Sequence, residues 1–342
     1  MVSPYLALLF ALSCAGCSAA ASDEEEGASA QPATDTAVAT PLGARRLAPE
    51  ALGQDGRITF SPGFSPDGQT MYFTRADCEL IWECPQLLYR SQRTASGWSP
   101  AERVQLPQAE ARAEWPSVSP DGSTLYFSWA PDRPRHAGEN VYEDFDLFAL
   151  SLSDAGAEPV ALDNPDISRI RGGRIRQTRF VNNETAPVLT RGGDLYFWSE
   201  RLDGVGLRDI YVARGNGSGG FAAPIPVPGD INTAGENDGS WVTADGRVML
   251  LSTDVVEGEG GADIFVSVLC EGEWSAPRNL GPEINTPDAE FAARITPDGE
   301  SVVFTSSRPT EAGGESGLYQ VWTMPVAEIP VLREVLGEAR AN

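Results

Sequence analysis

One arrangement of apolar and polar positions returns five times along this chain. A short apolar stretch meets a polar turn, and an apolar stretch of β-branched and aromatic residues follows. The first copy reads Phe64-Ser65-Pro66-Asp67-Gly68-Gln69-Thr70-Met71-Tyr72-Phe73-Thr74. The others are Val118 to Ser128, Leu189 to Trp198, Val242 to Ser252 and Ile295 to Thr305. Asp-Gly supplies the positive φ of a tight turn, and Pro before it presets the first corner, so each copy predicts a β-hairpin. The third copy carries Gly192-Gly193 instead, which serves the same backbone need.

Two further signatures follow each hairpin. An acidic residue leads an apolar strand in Asp146 to Leu150, Asp209 to Ala213 and Asp263 to Ser267, with Leu87 to Arg90 and Leu318 to Trp322 in that place in the first and last copies. A Trp-Ser-Pro type segment then comes in Trp98 to Val104 and Trp274 to Leu280, with Phe221 to Val227 a variant. Each unit therefore predicts about four short antiparallel strands, which at a period near fifty residues describes a propeller blade.

The Ser-Pro-Asp-Gly turn, the Tyr-Phe strand after it and the later Asp-Ile-Tyr or Asp-Leu-Phe strand resemble the TolB-like, WD-type propeller repeat family over residues 41 to 326. The fold class expected is all-β, a β-propeller of four-stranded blades. The turns at Asp67, Asp121, Gly193, Asp245 and Asp298 lie 54, 72, 52 and 53 residues apart. The long interval holds an arginine-bearing insertion, Asp163 to Asn183, too short for a blade. Five blades are expected, with six, common among TolB-like propellers, as the alternative. Gly43 to Ala48 aligns with the Pro277 to Leu280 strand and is expected to pair into the last blade, closing the ring and hiding its edge. In residues 327–342, Leu332, Val335 and Leu336 at helical spacing predict a short helix or a frayed end.

Composition agrees with many short strands: 35 Gly and 26 Pro stand against 25 Lys plus Arg. The net charge of −24 repels nucleic acid and anionic headgroups, so neither is an expected partner. The chain opens on an apolar run from Tyr5 to Leu12, too short to span a bilayer, and then Cys14-Ala15-Gly16-Cys17. Ala15-Gly16-Cys17 resembles a lipoprotein lipobox, which implies acylation at Cys17, although Cys14 stands where Leu is usual and no Lys or Arg precedes it. Residues 1–17 thus read as a signal segment. Residues 18–40, without an aromatic residue, read as a disordered tether. Membrane contact is expected only through the anchor, at the outer membrane or in the periplasm, with secretion as the alternative. In such an oxidising compartment Cys78 and Cys84 are disulfide candidates, and Cys270 is expected as a buried strand thiol.

Candidate chemistry is sparse. His136, the one histidine, lies in a polar stretch with no Gly-x-Ser-x-Gly elbow, so hydrolysis by a serine triad is not expected. Glu114, Glu184, Glu236 and Glu290 precede the inner strand of their units at matching places, with Trp115 and Trp241 nearby, and all six are candidate channel-lining residues. Facing acids on a propeller axis can hydrolyse glycosidic bonds. Recurrence in every blade instead favours a structural role, and salt bridges from Arg75, Arg201 and Arg308 are the simplest account. The loops Asp230 to Gly239 and Glu283 to Glu290 carry oxygen ligands suited to calcium, but without the Asp-x-Asp-x-Asp-Gly spacing, so no cofactor is expected and calcium is the alternative. Trp82, Trp129 and Trp198 are assigned to blade packing. The function expected is non-catalytic binding or scaffolding at the bacterial cell envelope, with another envelope protein or a glycan as partner. The alternative is a carbohydrate-active enzyme.

Overall fold

The computed structural model describes residues 43–54, 56–79, 81, 83–131, 145–162, 164, 166–168, 183–201, 203–254, 258, 260–310 and 317–341. Cys17, the tether, Trp82, His136 and most of the arginine-bearing insertion lie outside them. Five antiparallel sheets form five blades. Their inner strands are Ile58–Phe64, Ala113–Val118, Glu184–Leu189, Asn237–Val242 and Glu290–Ile295. The second strands are Thr70–Ala76, Thr124–Trp129, Leu195–Ser199, Val248–Thr253 and Ser301–Ser306, and the third are Leu87–Thr94, Asp146–Ser151, Asp209–Ala213, Asp263–Cys270 and Gln320–Pro325. The outer strand of the fifth blade is Arg45–Arg46, paired antiparallel with Trp322 and Thr323, so the chain's two ends close the ring. The six-bladed alternative does not hold.

The recurrent turns close by one mechanism. In the first, the Ser65 hydroxyl donates to Asp67 Oδ1 at 2.5 Å, and the same oxygen accepts from Gln69 N at 3.0 Å while Gly68 takes φ 68°. Ser119 with Asp121, Thr243 with Asp245 and Thr296 with Asp298 repeat this. These bonds favour the ionised carboxylate. Ser119 and Ser123 hold the Asp121 carboxyl down at about 2.

Each inner strand bulges at one residue in the left-handed region: Ser61, Trp115, Ala186, Gly239 and Ala292, with φ between 51° and 57°. Such a φ costs a non-glycine residue energy, so the surroundings must hold it. The bulge turns a backbone N–H towards the preceding blade. Ser61 N donates to Thr305 Oγ1, Trp115 N to Thr74 Oγ1 and Ala186 N to Ser128 Oγ, at 3.1, 3.1 and 3.2 Å. Pro62, Pro116 and Pro187 follow the bulge, where the ladder asks for no N–H. The Ile-Asn-Thr loops have an equally local reason. Asn232 clamps the backbone of Ile210 from both sides at 2.7 and 3.0 Å, and Asn285 clamps Ile264 at 2.9 Å twice. They are turns between blades.

Between blades the core is aromatic and aliphatic, with Phe73, Phe127, Phe197, Phe265 and Phe304 all within 1% of full burial. The tail forms a helix, Pro330–Ala341, whose Leu332 and Val335 pack beneath blades 4 and 5. Among the described residues no helix is long and apolar enough to cross a membrane. Cys78 and Cys84 are joined as a disulfide. Cys270 ends its strand half-buried rather than buried.

Candidate functional site

Aligning the inner strands on their bulges sorts the sequence candidates. One residue before the bulge stand Phe60, Glu114, Thr185, Asp238 and Phe291, and one further back stand Thr59, Ala113, Glu184, Asn237 and Glu290. The four glutamates are therefore not at matching places: Glu184 and Glu290 are equivalent, Glu114 is one residue later and Glu236 one earlier. Because strand side chains alternate, a one-residue offset sends Glu114 to the other face. Trp115 and Trp241 are likewise not equivalent, since Trp115 is the bulge residue and Trp241 lies two places beyond its own.

Glu184 and Glu290 point into the protein. Both are fully buried, and each meets an arginine and a serine from its own blade's second strand and the residues just after it. Arg201 Nη2 stands 3.0 Å from Glu184 Oε1, and Arg308 Nη2 stands 3.4 Å from Glu290 Oε1. Ser199 and Ser306 donate to the same two carboxylates. Arg75 does not belong to this set. It sits two places earlier in its strand, pairs with Asp77 and lies over the Tyr89 ring.

Rings from the inner strands of three blades meet beside the bulges. Phe60, Trp115 and Phe291 have centroids 6.0 to 6.2 Å apart, and Tyr319 packs edge-on against Phe291 at 5.0 Å. Beside them, at the face where the inner strands begin, the repeat breaks. Four blades carry a hydroxyl opposite the position before the bulge: Thr74, Ser128, Ser252 and Thr305; the third has Trp198 nearby in that tier. Arg208 lies over the Trp198 ring at 5.0 Å.

Arg208 gathers acids from two blades. Its Nε meets Glu200 Oε1 at 2.9 Å, and its Nη1 meets Asp238 Oδ2 at 3.1 Å and Glu236 Oε2 at 3.2 Å. Burial works against its charge, yet Asp238, Glu200 and Glu236 together hold the guanidinium above its usual value. Burial pushes Glu200 up to about 7 against the pull of Arg208, and its Oε2 has no hydrogen-bond partner among the described residues. Burial also pushes Glu114 up to about 7, opposed by Arg112 and Arg208. Asp238 is raised by burial too, while Arg208 and Ser252 draw it back. Glu114 and Asp238 both keep some exposed surface, as groups lining a recess do. Three carboxylates thus meet Arg208 directly, and Glu114, under the influence of Arg112 and Arg208, shares the recess with them, with Trp198 beneath the guanidinium and Tyr319 close enough to feel Asp238.

The loop that delivers Arg208 is built for close approach. Gly206 N donates to both oxygens of Asp209, at 3.1 and 3.0 Å, which gives the acid at the head of the third strand of blade 3 its local role. A Cβ on Gly206 would meet the carbonyl oxygens of Thr233 and Gly235 at 2.3 and 2.4 Å. Gly206→Ala should therefore displace Arg208 and cost about 1–3 kcal/mol of stability, the usual range for overpacking. A urea titration of this variant beside Gly261→Ala, whose added Cβ meets only Ala289 Cβ at 3.9 Å, checks it.

Glu200 and Arg208 were not among the sequence candidates. The signal that could have found them is the break in the repeat: Trp198 replaces a hydroxyl, and Arg208 takes the place filled by Gln86, Phe145, Ala262 and Tyr319 in the other blades. Among the described residues no group of three or more His, Cys, Asp or Glu is arranged to hold a metal ion.

The site and fold define a five-bladed propeller with an acidic recess at one channel mouth. Among solved structures the chain is similar to a putative TolB from Agrobacterium tumefaciens, at 17% identity over 80% of this chain and 78% of that one, with a TM-score of 0.45. It is also similar to an α-L-arabinofuranosidase from Lactobacillus brevis, at 15% identity over 82% and 94% of the chains and a TM-score of 0.44. A family 117 glycoside hydrolase from Zobellia galactanivorans gives 12% identity, 83% and 90% coverage and a TM-score of 0.46. No family model matches the chain, and no curated protein matches it.

Proposed function

We propose that this chain is a non-catalytic binding propeller at the bacterial cell envelope, tethered through Cys17, which receives a cationic segment of a partner protein in its acidic recess. The supporting observation is the surplus of acids there: Glu200, Glu236 and Asp238 pair with Arg208, and Glu114 beside them feels Arg112 and Arg208, so four carboxyl groups share two arginines in a chain of net charge −24. A lysine or arginine side chain entering the recess would bring a further positive charge to these acids, and Trp198 already holds Arg208 over its ring as an example of the cation contact the site favours. Fluorescence anisotropy with a labelled pentalysine peptide tests this, with pentaglutamate as the control. The full chain should bind pentalysine in a salt-dependent manner, and the double variant Glu114→Gln, Glu236→Gln should bind at least about tenfold more weakly. Equal binding by the variant would reject the recess as the site.

A second reading, glycoside hydrolysis, is favoured by one observation. Glu114 and Glu200, each pushed up to about 7, can hold a proton at neutral pH beside the carboxyl of Asp238, and two such carboxyls in different states are what that chemistry needs. Aryl glycosides release a coloured phenol on cleavage. Turnover by the full chain that Glu200→Gln abolishes would support this reading, and no turnover across pentosides and hexosides of both anomers would remove it.

A further inference from the structure

At the opposite mouth, where the inner strands run into the five turns, the channel wall changes. Two places beyond the bulge the blades present Gly63, Ser117, Val188, Trp241 and Arg294. The small residues leave a cavity of about 450 Å³, lined by Arg294, Trp241, Ser117 and Arg191 among others. That volume lies in the range of small-ligand sites.

Arg294 is the feature that needs an explanation. It is only 4% exposed, and while its backbone pairs with Val303 in the ladder, its guanidinium has no ion pair or hydrogen bond among the described residues. Its guanidinium reaches across to blade 1, where Nη1 lies 3.5 Å from the position a Cβ would occupy on Gly63. A larger residue at position 63 would also strike the Pro116 carbonyl oxygen, at 2.4 Å, so the space beside the guanidinium is kept open by glycine. The other arginines at the inner ends of the blades all face carboxylates: Arg201 has Glu184, Arg308 has Glu290, and Arg208 has three. Burial alone acts on Arg294 and draws its pKa down to about 9, which still leaves it charged at neutral pH.

A buried charge without a counter-charge is costly, and it is normally kept only where something supplies the opposite sign. The one acid that lines the cavity, Asp298, is held within its own turn, its Oδ1 accepting from Thr296 Oγ1 at 2.6 Å and Glu300 N at 3.0 Å, and it makes no ion pair with Arg294. Arg191 stands exposed at the rim. The cavity lining therefore carries two arginines against one carboxylate, in a chain that is otherwise strongly acidic.

We infer that the turn-side cavity is a binding site for a small anionic ligand, whose carboxylate or phosphate group pairs with the Arg294 guanidinium while its remainder lies against Trp241. Planar, two-pronged pairing with such oxyanions is what a guanidinium does best. The site is independent of the acidic recess and would stand if that reading failed.

Isothermal titration of the full chain with inorganic phosphate, citrate and D-glucuronate, and with glucose as the neutral control, tests the proposal. At least one anion should bind and glucose should not. Arg294→Met should weaken that binding at least about tenfold, and Arg294→Lys should keep part of it. Equal binding by Arg294→Met, or no binding of any of the three anions by the full chain, would overturn the proposal. Should Arg294→Met fail to fold, the arginine Nε–Hε resonances of the unaltered protein decide. A shift of the Arg294 signal on titration supports the site, and a signal unmoved by saturating anion overturns it.

Discussion

Replacing Arg201 by alanine should destabilise the propeller by about 3–5 kcal/mol, because it strands a buried carboxylate. Glu184 is fully buried and Arg201 is 2% exposed. The guanidinium also donates to the Asp166 and Ile167 carbonyl oxygens, at 3.0 and 2.7 Å, so its loss orphans several acceptors at once. Burial already pushes the Glu184 carboxyl well above its usual value, and Asp146 pushes it further while Arg201 holds it down. Without Arg201 the protonated form gains, so the deficit should be smaller at pH 5 than at pH 8. The melting temperature at pH 8 should fall by on the order of 10 °C. The double change Glu184→Met, Arg201→Met should recover much of that loss, because a matched apolar pair leaves no charge behind. Calorimetric melts of both variants at the two pH values check this, and a loss below about 1 kcal/mol for Arg201→Ala would show that the pair holds little together. The equivalent Arg308 lies at a longer 3.4 Å and is more exposed, so Arg308→Ala should cost less.

The second large effect is a fall in stability as pH rises from 5 to 8. Glu114 and Glu200 sit at about 7 in the folded protein against an ordinary 4.5, so between those values the folded state binds more protons than the unfolded one. Stability then decreases with rising pH across that window and levels off above it. Each full shift corresponds to at most about 3 kcal/mol, and the partial exposure of Glu114 and the screening that comes with it reduce the sum to a few kcal/mol. The turn aspartates act in the opposite sense. Asp121, held at about 2, supports the fold above its ordinary value of 3.8 and stops doing so as pH falls through 2. Denaturant midpoints measured from pH 4 to 8 should therefore peak near pH 5. Glu114→Gln should flatten the descending limb, and a level profile from 5 to 8 in the unaltered protein would contradict the assignment.

Much of the fold was legible because its determinants are local. Asp-Gly at positions 67–68, 121–122, 245–246 and 298–299 dictates a turn whatever surrounds it, since the backbone must reach positive φ and Asp must cap the N–H two residues on. Those four turns with Gly192-Gly193 make five repeat units, which left five blades expected and six as the alternative, and the closing strand was expected from matching residues 43–48 to the outer strand of a complete blade. The recurrent Asn232 and Asn285, in loops whose oxygen atoms suited calcium, are clamps on the backbone of Ile210 and Ile264.

The candidate site was less legible, because it depends on register. Glu114 and Glu184 look equivalent along the chain, yet a bulge one residue away places one in the channel and the other in a buried ion pair. Residue type and spacing in sequence do not report a one-residue offset, whereas hydrogen bonds across the strand pair do. Arg208 and Glu200 lie in a glycine-bearing loop that carries no repeat signature, so only the packing of blade 3 against blade 4 brings them to Asp238. Arg294 resembles any strand arginine in the sequence, and its isolation in a cavity appears only once all five inner strands stand around one axis. What this chain determined by itself was the local chemistry of its turns and their fivefold recurrence, while the closure of the ring at five blades was fixed by the pairing of Arg45 and Arg46 with Thr323 and Trp322. Which side chains share a charge, and which are left without a partner, was decided by long-range contacts between blades.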